Sequence, residues 1–167
     1  MKDILVMSRR SAIDYVAEQR EHPFYIISIH SWRSDVPEFD KTNPMLMDVL
    51  DMEFSDVLCN EPHHILPHQA IEIIEFAKKV PDDATLLIHC RAGVSRSSAA
   101  AAALSLIFFG DDSKFWEMPY CPNETVYTMI LTEDFKMKLE DQLAPKIRKN
   151  THEYMLRHDN LYNSIFY

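Results

Sequence analysis

Short apolar runs alternate along the chain with longer amphipathic stretches. Ile4 to Met7 and Phe24 to Ile29 are compact runs rich in β-branched and aromatic residues, the pattern of buried strands. Met45 to Phe54 predicts a third strand. Ala84 to His89 predicts another, covered on both faces, because Leu86, Leu87 and Ile88 follow one another without a polar break. Between these runs the apolar period lengthens to that of helices. Ser8 offers an N-cap to a helix from about Arg9 to Glu21, with Ala12, Ile13, Val16 and Ala17 on one face. Pro67 suits the first turn of a second helix carrying Ile71, Ile74, Phe76 and Val80. Ser97 to Phe109, with five consecutive alanines, predicts a third. Ser31 to Pro44 and Ser55 to Leu66 read as loops, and Pro81-Asp82-Asp83 as a turn. Beyond Asp111 no strand is expected. Asn123 to Leu143 and Thr151 to Tyr167 have helical character, with Pro145 as a break between them. The expected fold is α/β: a central, mostly parallel sheet of about four to five strands, helices on both faces and a helical C-terminal portion. No linker divides residues 1–167, so a single domain is expected, with 151–167 as a docking helix or a tail.

Composition narrows the function classes. The chain of 167 residues is 47% apolar and 26% charged, as in a globular protein with a sizeable core. Its longest apolar stretch, Ala99 to Phe109, falls well short of the ~20 residues of a membrane span. The N-terminus lacks the apolar core of a signal peptide. Three cysteines without paired spacing point to a reducing compartment, hence a cytoplasmic protein without a disulfide framework. A net charge of -9 argues against broad nucleic-acid binding. Only two glycines occur, where average usage gives about 12, which excludes the glycine-rich nucleotide loops. Gly110 follows an apolar helical run and reads as its C-cap. Gly93 needs another explanation.

The apolar strand ending at His89 leads into Cys90-Arg91-Ala92-Gly93-Val94-Ser95-Arg96-Ser97, where a helix begins. A short loop wrapping into a helix N-terminus turns backbone N–H groups inward, and the helix dipole adds partial positive charge. Gly93 permits a positive φ in mid-loop. The product is an anion cradle the size of one phosphoryl group, with Arg91 to Arg96 as its phosphate-binding loop and Cys90 at its floor. The donors that hold phosphate also stabilise a thiolate, so the thiol pKa is expected below the reference value of ~8.5. Arg96 closes the loop with a planar fork that matches two phosphoryl oxygens. Ser97 is placed to hydrogen-bond the sulfur and help it leave. A lone cysteine is usually a buried core residue. Here the strand end, the arginine six positions on, the intervening glycine and the immediate helix weigh against that reading.

His89 to Ser98 resembles the signature of the cysteine-based protein tyrosine phosphatases. The Ser-Arg-Ser ending is similar to the compact dual-specificity branch, and the small size to tyrosine-phosphatase-like proteins of bacteria and viruses. Weaker resemblance runs from about Met45 to Leu143. The central position of C-x5-R sets the chain apart from the low-molecular-weight phosphatases, which carry it near the N-terminus. The resemblance implies a cysteinyl-phosphate intermediate and a general acid on a separate loop. Asp56 fits that role best, just beyond the third strand and 34 residues ahead of Cys90. Asp51 and Glu53 compete but fall within the strand. An isolated loop aspartate is otherwise a solvated carboxylate. By the same resemblance His89 orders the loop through hydrogen bonding, and Pro122-Asn123 is similar to a P-N pair that starts a helix near the active site; Asn123 is also simply a good N-cap.

The expected activity is phosphomonoester hydrolysis without metal or other cofactor, on a phosphorylated protein or peptide, phosphotyrosine first and possible dual specificity second. Phosphate- and vanadate-type oxyanions are the expected ligands, no nucleic acid or membrane span is expected, and a monomer is favoured. Two alternatives stay open: an inositol-phosphate or phosphoinositide phosphatase of the same mechanism, and a phosphate-reading module with weak catalysis or none. Relatives of the first kind often carry lysines in the loop, whereas here Arg91 is its one extra base. His63, His64 and His68 lack the companions of a metal site. Cys59 is a candidate for a reversible disulfide with Cys90, Cys121 remains without an assigned role, and Trp32 and Arg33 are candidates for a wall beside the pocket.

Overall fold

The computed structural model describes the backbone of residues 1–165 and side chains as far as 146. The chain falls into two compact units, Met1–Glu133 and Asp134–Tyr167. The first holds four strands, β1 (Asp3–Ser8), β2 (Phe24–His30), β3 (Leu46–Glu53) and β4 (Thr85–Cys90). All pair in parallel, in the order β1-β4-β2-β3. Helix α1 (Arg9–Ala17) follows β1, α2 (Pro67–Lys78) follows β3 and α3 (Arg96–Phe109) follows β4. The two central strands, β4 and β2, are almost wholly buried, which is why their sequences show no polar alternation.

Helices cover both faces. Ala12 and Val16 of α1 pack with Phe24, Ile26 and Leu87 on one face. On the other, Tyr25 meets Phe76 of α2 edge-on, ring centroids 6.0 Å apart. The alternation of side chains along β2 places Phe24 and Tyr25 on opposite faces. Helix α3 packs on β4 and β1, and Ala99 to Ala103 are fully buried. Small side chains let the helix axis approach the sheet closely. Gly110 caps it at φ +76, its N–H donating to Leu106.

Two elements depart from expectation. Helix α1 ends at Ala17, four residues early, where Glu18 turns extended. Asn43, distant in sequence, donates to the carbonyls of Val16 at 2.6 Å and Glu18 at 3.2 Å, so a tertiary contact caps this end. Helix α4 (Glu124–Ile165) runs through Pro145 without the expected break. Proline's φ is compatible with helix, and the exposed backbone around Asp141 leaves the deprived carbonyl to water. The predicted segment Thr151 to Tyr167 is helical to Ile165; its last two residues lie outside the described residues. In the second unit Lys138 pairs with Asp134 at 2.7 Å, and Phe135, Leu139 and Leu143 are exposed at four-residue spacing. No helix among the described residues is long and apolar enough to cross a membrane.

Candidate active site

Strand β4 delivers Cys90 to the carboxyl end of the sheet, where parallel sheets present their sites. The next five residues turn back into α3, and the register of β1 sets Ser8 opposite Cys90. Gly93 lies at φ +75 against that neighbour. A Cβ there would stand 2.6 Å from the Met7 carbonyl carbon and 2.6 Å from the Ser8 nitrogen. Glycine is thus required twice, for its backbone angle and for the close approach of two chains.

Donors converge on the Cys90 sulfur, which is 2% exposed. The Gly93 N–H donates to it at 3.3 Å, and the Ser97 hydroxyl lies 3.1 Å away. Burial raises the thiol pKa. The Ser97 hydroxyl and the backbone N–H groups of Ser97, Gly93 and Val94 lower it by more, so the net pKa is below the ordinary thiol value. These donors sit at the N-terminus of α3, whose dipole acts in the same direction.

Arg96 is buried at 4% exposure in the first turn of α3. Its Nη1 donates to the Phe54 carbonyl at 2.8 Å and to Ser31 Oγ at 3.1 Å, anchoring one corner of the fork on the ends of β2 and β3. Its Nε is buried and has no hydrogen-bond partner. Unpaired buried N–H groups are costly, so this one marks a place for an acceptor.

Asp56 lies just past β3 and is brought to the cradle. Its Oδ1 accepts from Ser95 Oγ and from Asn123 Nδ2, both at 2.8 Å, and its Oδ2 is 4.0 Å from Arg96 Nε. Asn123 has both expected associations. Its Oδ1 accepts from the Val126 N–H at the start of α4, while its amide nitrogen holds Asp56 and the Val57 carbonyl. Three further contacts sew the loops together: Cys121 N–H to Val94 O at 2.9 Å, Asn123 N–H to Ser95 O at 3.3 Å and Cys59 N–H to Thr125 Oγ1 at 2.9 Å. Gln69 of α2 donates to the Glu53 carbonyl at 2.9 Å, steadying the point where the Asp56 loop departs.

His89 is fully buried, its Nδ1 3.4 Å from the Cys90 carbonyl oxygen and its ring edge-on to Phe39. Burial pushes its pKa down to about 4, so at neutral pH it is uncharged. Of the other loop residues, Arg91 and Ala92 are exposed, and Ser98 donates back to the Val94 and Ser95 carbonyls. Asp51 and Glu53 stay within β3; Glu53 instead accepts from the Arg33 N–H at 3.0 Å.

The remaining candidates take other places. Trp32, next to the Ser31 that holds Arg96, stacks on His63 at 4.2 Å with the Arg33 guanidinium over its ring. The His63 carbonyl accepts from Ser55 N–H at 2.7 Å, so the stack ties the two loops flanking Arg96. His63, His64 and His68 form no metal-ligand group among the described residues. Cys59 and Cys121 are free and exposed. Ser31 and the Phe54 carbonyl carry no signal in the sequence, and Ser95, read there as part of the phosphate-binding loop, has the further contact with Asp56 that the sequence does not predict. Only a chain path that brings β2, β3 and α3 to one edge reveals them.

No family model and no curated protein matches the chain. Several solved structures share its architecture, among them the following two. Human tyrosine phosphatase-like serine/threonine/tyrosine-interacting protein superposes with a TM-score of 0.60 at 19% identity, over 81% of this chain and 93% of that one. Human DUSP28 does so at 0.54 and 17%, over 82% and 94%. At such identity the likeness concerns the fold, which is that of the dual-specificity phosphatases.

Proposed function

We propose that the chain is a cysteine-dependent phosphomonoester hydrolase acting on phosphorylated protein, phosphotyrosine foremost. The observation that carries this reading is the convergence of Gly93, Val94 and Ser97 N–H groups and the Ser97 hydroxyl on a buried sulfur whose pKa they lower. A structural cysteine gains nothing from such donors, whereas a nucleophile does.

In this reading the loop amides and Arg96 Nε hold the phosphoryl oxygens, and the Cys90 thiolate attacks phosphorus opposite the ester oxygen. The P–O ester bond breaks as the S–P bond forms. Asp56, entering as the carboxylic acid, gives its proton to the leaving oxygen. As a carboxylate it then takes a proton from the water that attacks phosphocysteine. The S–P bond breaks, inorganic phosphate departs, and the Ser97 hydroxyl hydrogen-bonds the returning thiolate. Ser95 and Asn123 share Asp56 Oδ1, which leaves Oδ2 for the proton. A cytoplasmic setting suits a reduced Cys90. The catalytic domain in this reading includes Met1–Glu133, which contains every residue named.

Initial rates on phosphotyrosyl, phosphoseryl and inositol-phosphate substrates, measured in chelator with Cys90→Ser as control, test the reading. It expects turnover of the phosphotyrosyl peptide, inhibition by vanadate and no turnover by the variant. Retained turnover in Cys90→Ser, or stoichiometric phosphopeptide binding without hydrolysis, would overturn it. Faster hydrolysis of inositol phosphates would replace the substrate class.

A further inference from the structure

Trp32, in the loop that follows β2, is 44% exposed, so burial explains little of its placement. Two neighbours engage its ring. The His63 imidazole stacks on it at 4.2 Å with the planes 12° apart, and the Arg33 guanidinium lies over it at 4.1 Å. Among the described residues three non-glycine residues take a positive φ: Arg33 at 57, Asn60 at 74 and His63 at 64. Such backbone is unfavourable and persists only where its surroundings impose it. Both partners of Trp32 are strained in this way, although they belong to loops far apart in sequence. The backbone around the stack leads to two parts of the cradle. Ser31, next to Trp32, accepts from Arg96 Nη1 at 3.1 Å, and its carbonyl closes the turn by accepting from the Ser34 N–H at 2.9 Å. The His63 carbonyl accepts at 2.7 Å from the N–H of Ser55, the residue before Asp56. An aromatic clasp thus joins the anchor of the Arg96 fork to the root of the Asp56 loop.

We propose that Trp32 and His63 are positioning residues that hold Asp56 at its working place beside the cradle. This deepens the phosphatase reading and rests on it. Neither residue touches the reacting atoms. Their stack fixes the Ser55 end of the loop against the turn after β2, while Ser95 and Asn123 hold Asp56 Oδ1. Without the stack nothing imposes the strain at Arg33 and His63, the loop relaxes, and the carboxyl leaves its line to the ester oxygen. Arg96 keeps its second anchor, the Phe54 carbonyl at 2.8 Å, so oxyanion binding suffers less than proton transfer. The effect therefore falls on kcat rather than on KM.

The test is a double-mutant cycle on a phosphotyrosyl peptide. Trp32→Ala is expected to lower kcat by about tenfold with vanadate affinity nearly unchanged, as a displaced acid would. In an Asp56→Ala background it causes no further loss, because the group it positions is gone. A general defect of the scaffold would slow both backgrounds alike. Trp32→Phe, which keeps an aromatic face, recovers most of the loss. His63→Asn, which tolerates the positive φ but lacks the ring, reproduces it. An unchanged kcat in Trp32→Ala, or an equal loss in the Asp56→Ala background, would overturn the proposal. Amide hydrogen exchange at Ser55 needs no turnover and so separates the clasp from the phosphatase reading. The clasp predicts exchange there about tenfold faster in Trp32→Ala and in His63→Asn than in wild type. If the wild-type protein hydrolyses nothing but Ser55 responds in this way, the phosphatase reading falls and the clasp stands as the hold on the loop. Protection at Ser55 equal to wild type in both variants would remove the clasp in either case.

Discussion

The two sides of the cradle are held in different ways. The Cys90 side, from β4 through the loop into α3, is buried, stitched by backbone donors and wedged against β1 by a glycine that admits no substitute. The Asp56 side is half open to solvent and depends on side-chain hydrogen bonds that Ser95 and Asn123 donate and Thr125 accepts. The first is built where one strand end runs directly into one helix start. The second needs three separate pieces of chain to meet. Such a division suits the proposed reaction, in which Cys90 must be preorganised and Asp56 must serve two steps with different partners.

Removing the proposed acid tests the contrast most strongly. Asp56→Ala is expected to lower kcat by about 10^3-fold, within the range for a positioned general acid, while vanadate affinity survives. An unchanged kcat would reassign the acid, and lost vanadate binding would show that the open side also builds the cradle. Gly93→Ala should do the reverse, damaging the rigid side. The added methyl meets backbone that cannot move aside, so we expect a loss of about 3 kcal/mol in denaturant unfolding and at least ~10^2-fold in turnover. Stability and turnover close to wild type would show that the cradle is softer than its packing indicates.

His89 supplies a pH test of the same side. Its folded pKa of about 4 lies below the ordinary 6.5, so the unfolded chain binds the extra proton. The associated stability is full above pH 6.5 and is lost as the pH falls toward 4, by up to roughly 3 kcal/mol. His89→Gln should flatten that slope in urea titrations at successive pH values; an unchanged slope would place the proton uptake elsewhere. The smallest effect is expected for Asn123→Ala. It removes a helix cap, about 1 kcal/mol, and one of two holds on Asp56, lowering kcat by about tenfold with little change in phosphate affinity. A loss of phosphate affinity instead would mean that Asn123 supports the rigid side.

The same contrast explains what could be read from sequence. The cradle is contiguous, and its glycine, cysteine and arginine stand at spacings that one strand end and one helix start dictate, so Cys90, Gly93, Arg96 and Ser97 were legible together. Asp56 as the proposed acid rests on the family resemblance, because nothing local in the sequence distinguishes it from a solvated carboxylate. Its partners Ser95 and Asn123 lie 39 and 67 residues away. Ser31 and the Phe54 carbonyl, which anchor Arg96, carry no sequence signal, since any small polar residue and any carbonyl would serve. Helix ends failed for related reasons. A tertiary donor, Asn43, stopped α1 early, and solvent exposure allowed α4 to pass Pro145.

The proposed chemistry needs a Cys90 thiol more acidic than an ordinary one. The direct test is the pH dependence of Cys90 alkylation by iodoacetamide in a Cys59→Ser/Cys121→Ser background, with and without inorganic phosphate. The expected result is a midpoint below the ordinary thiol value of ~8.5 and slower alkylation when phosphate fills the cradle. A midpoint at or above that value, with no protection by phosphate, would contradict it.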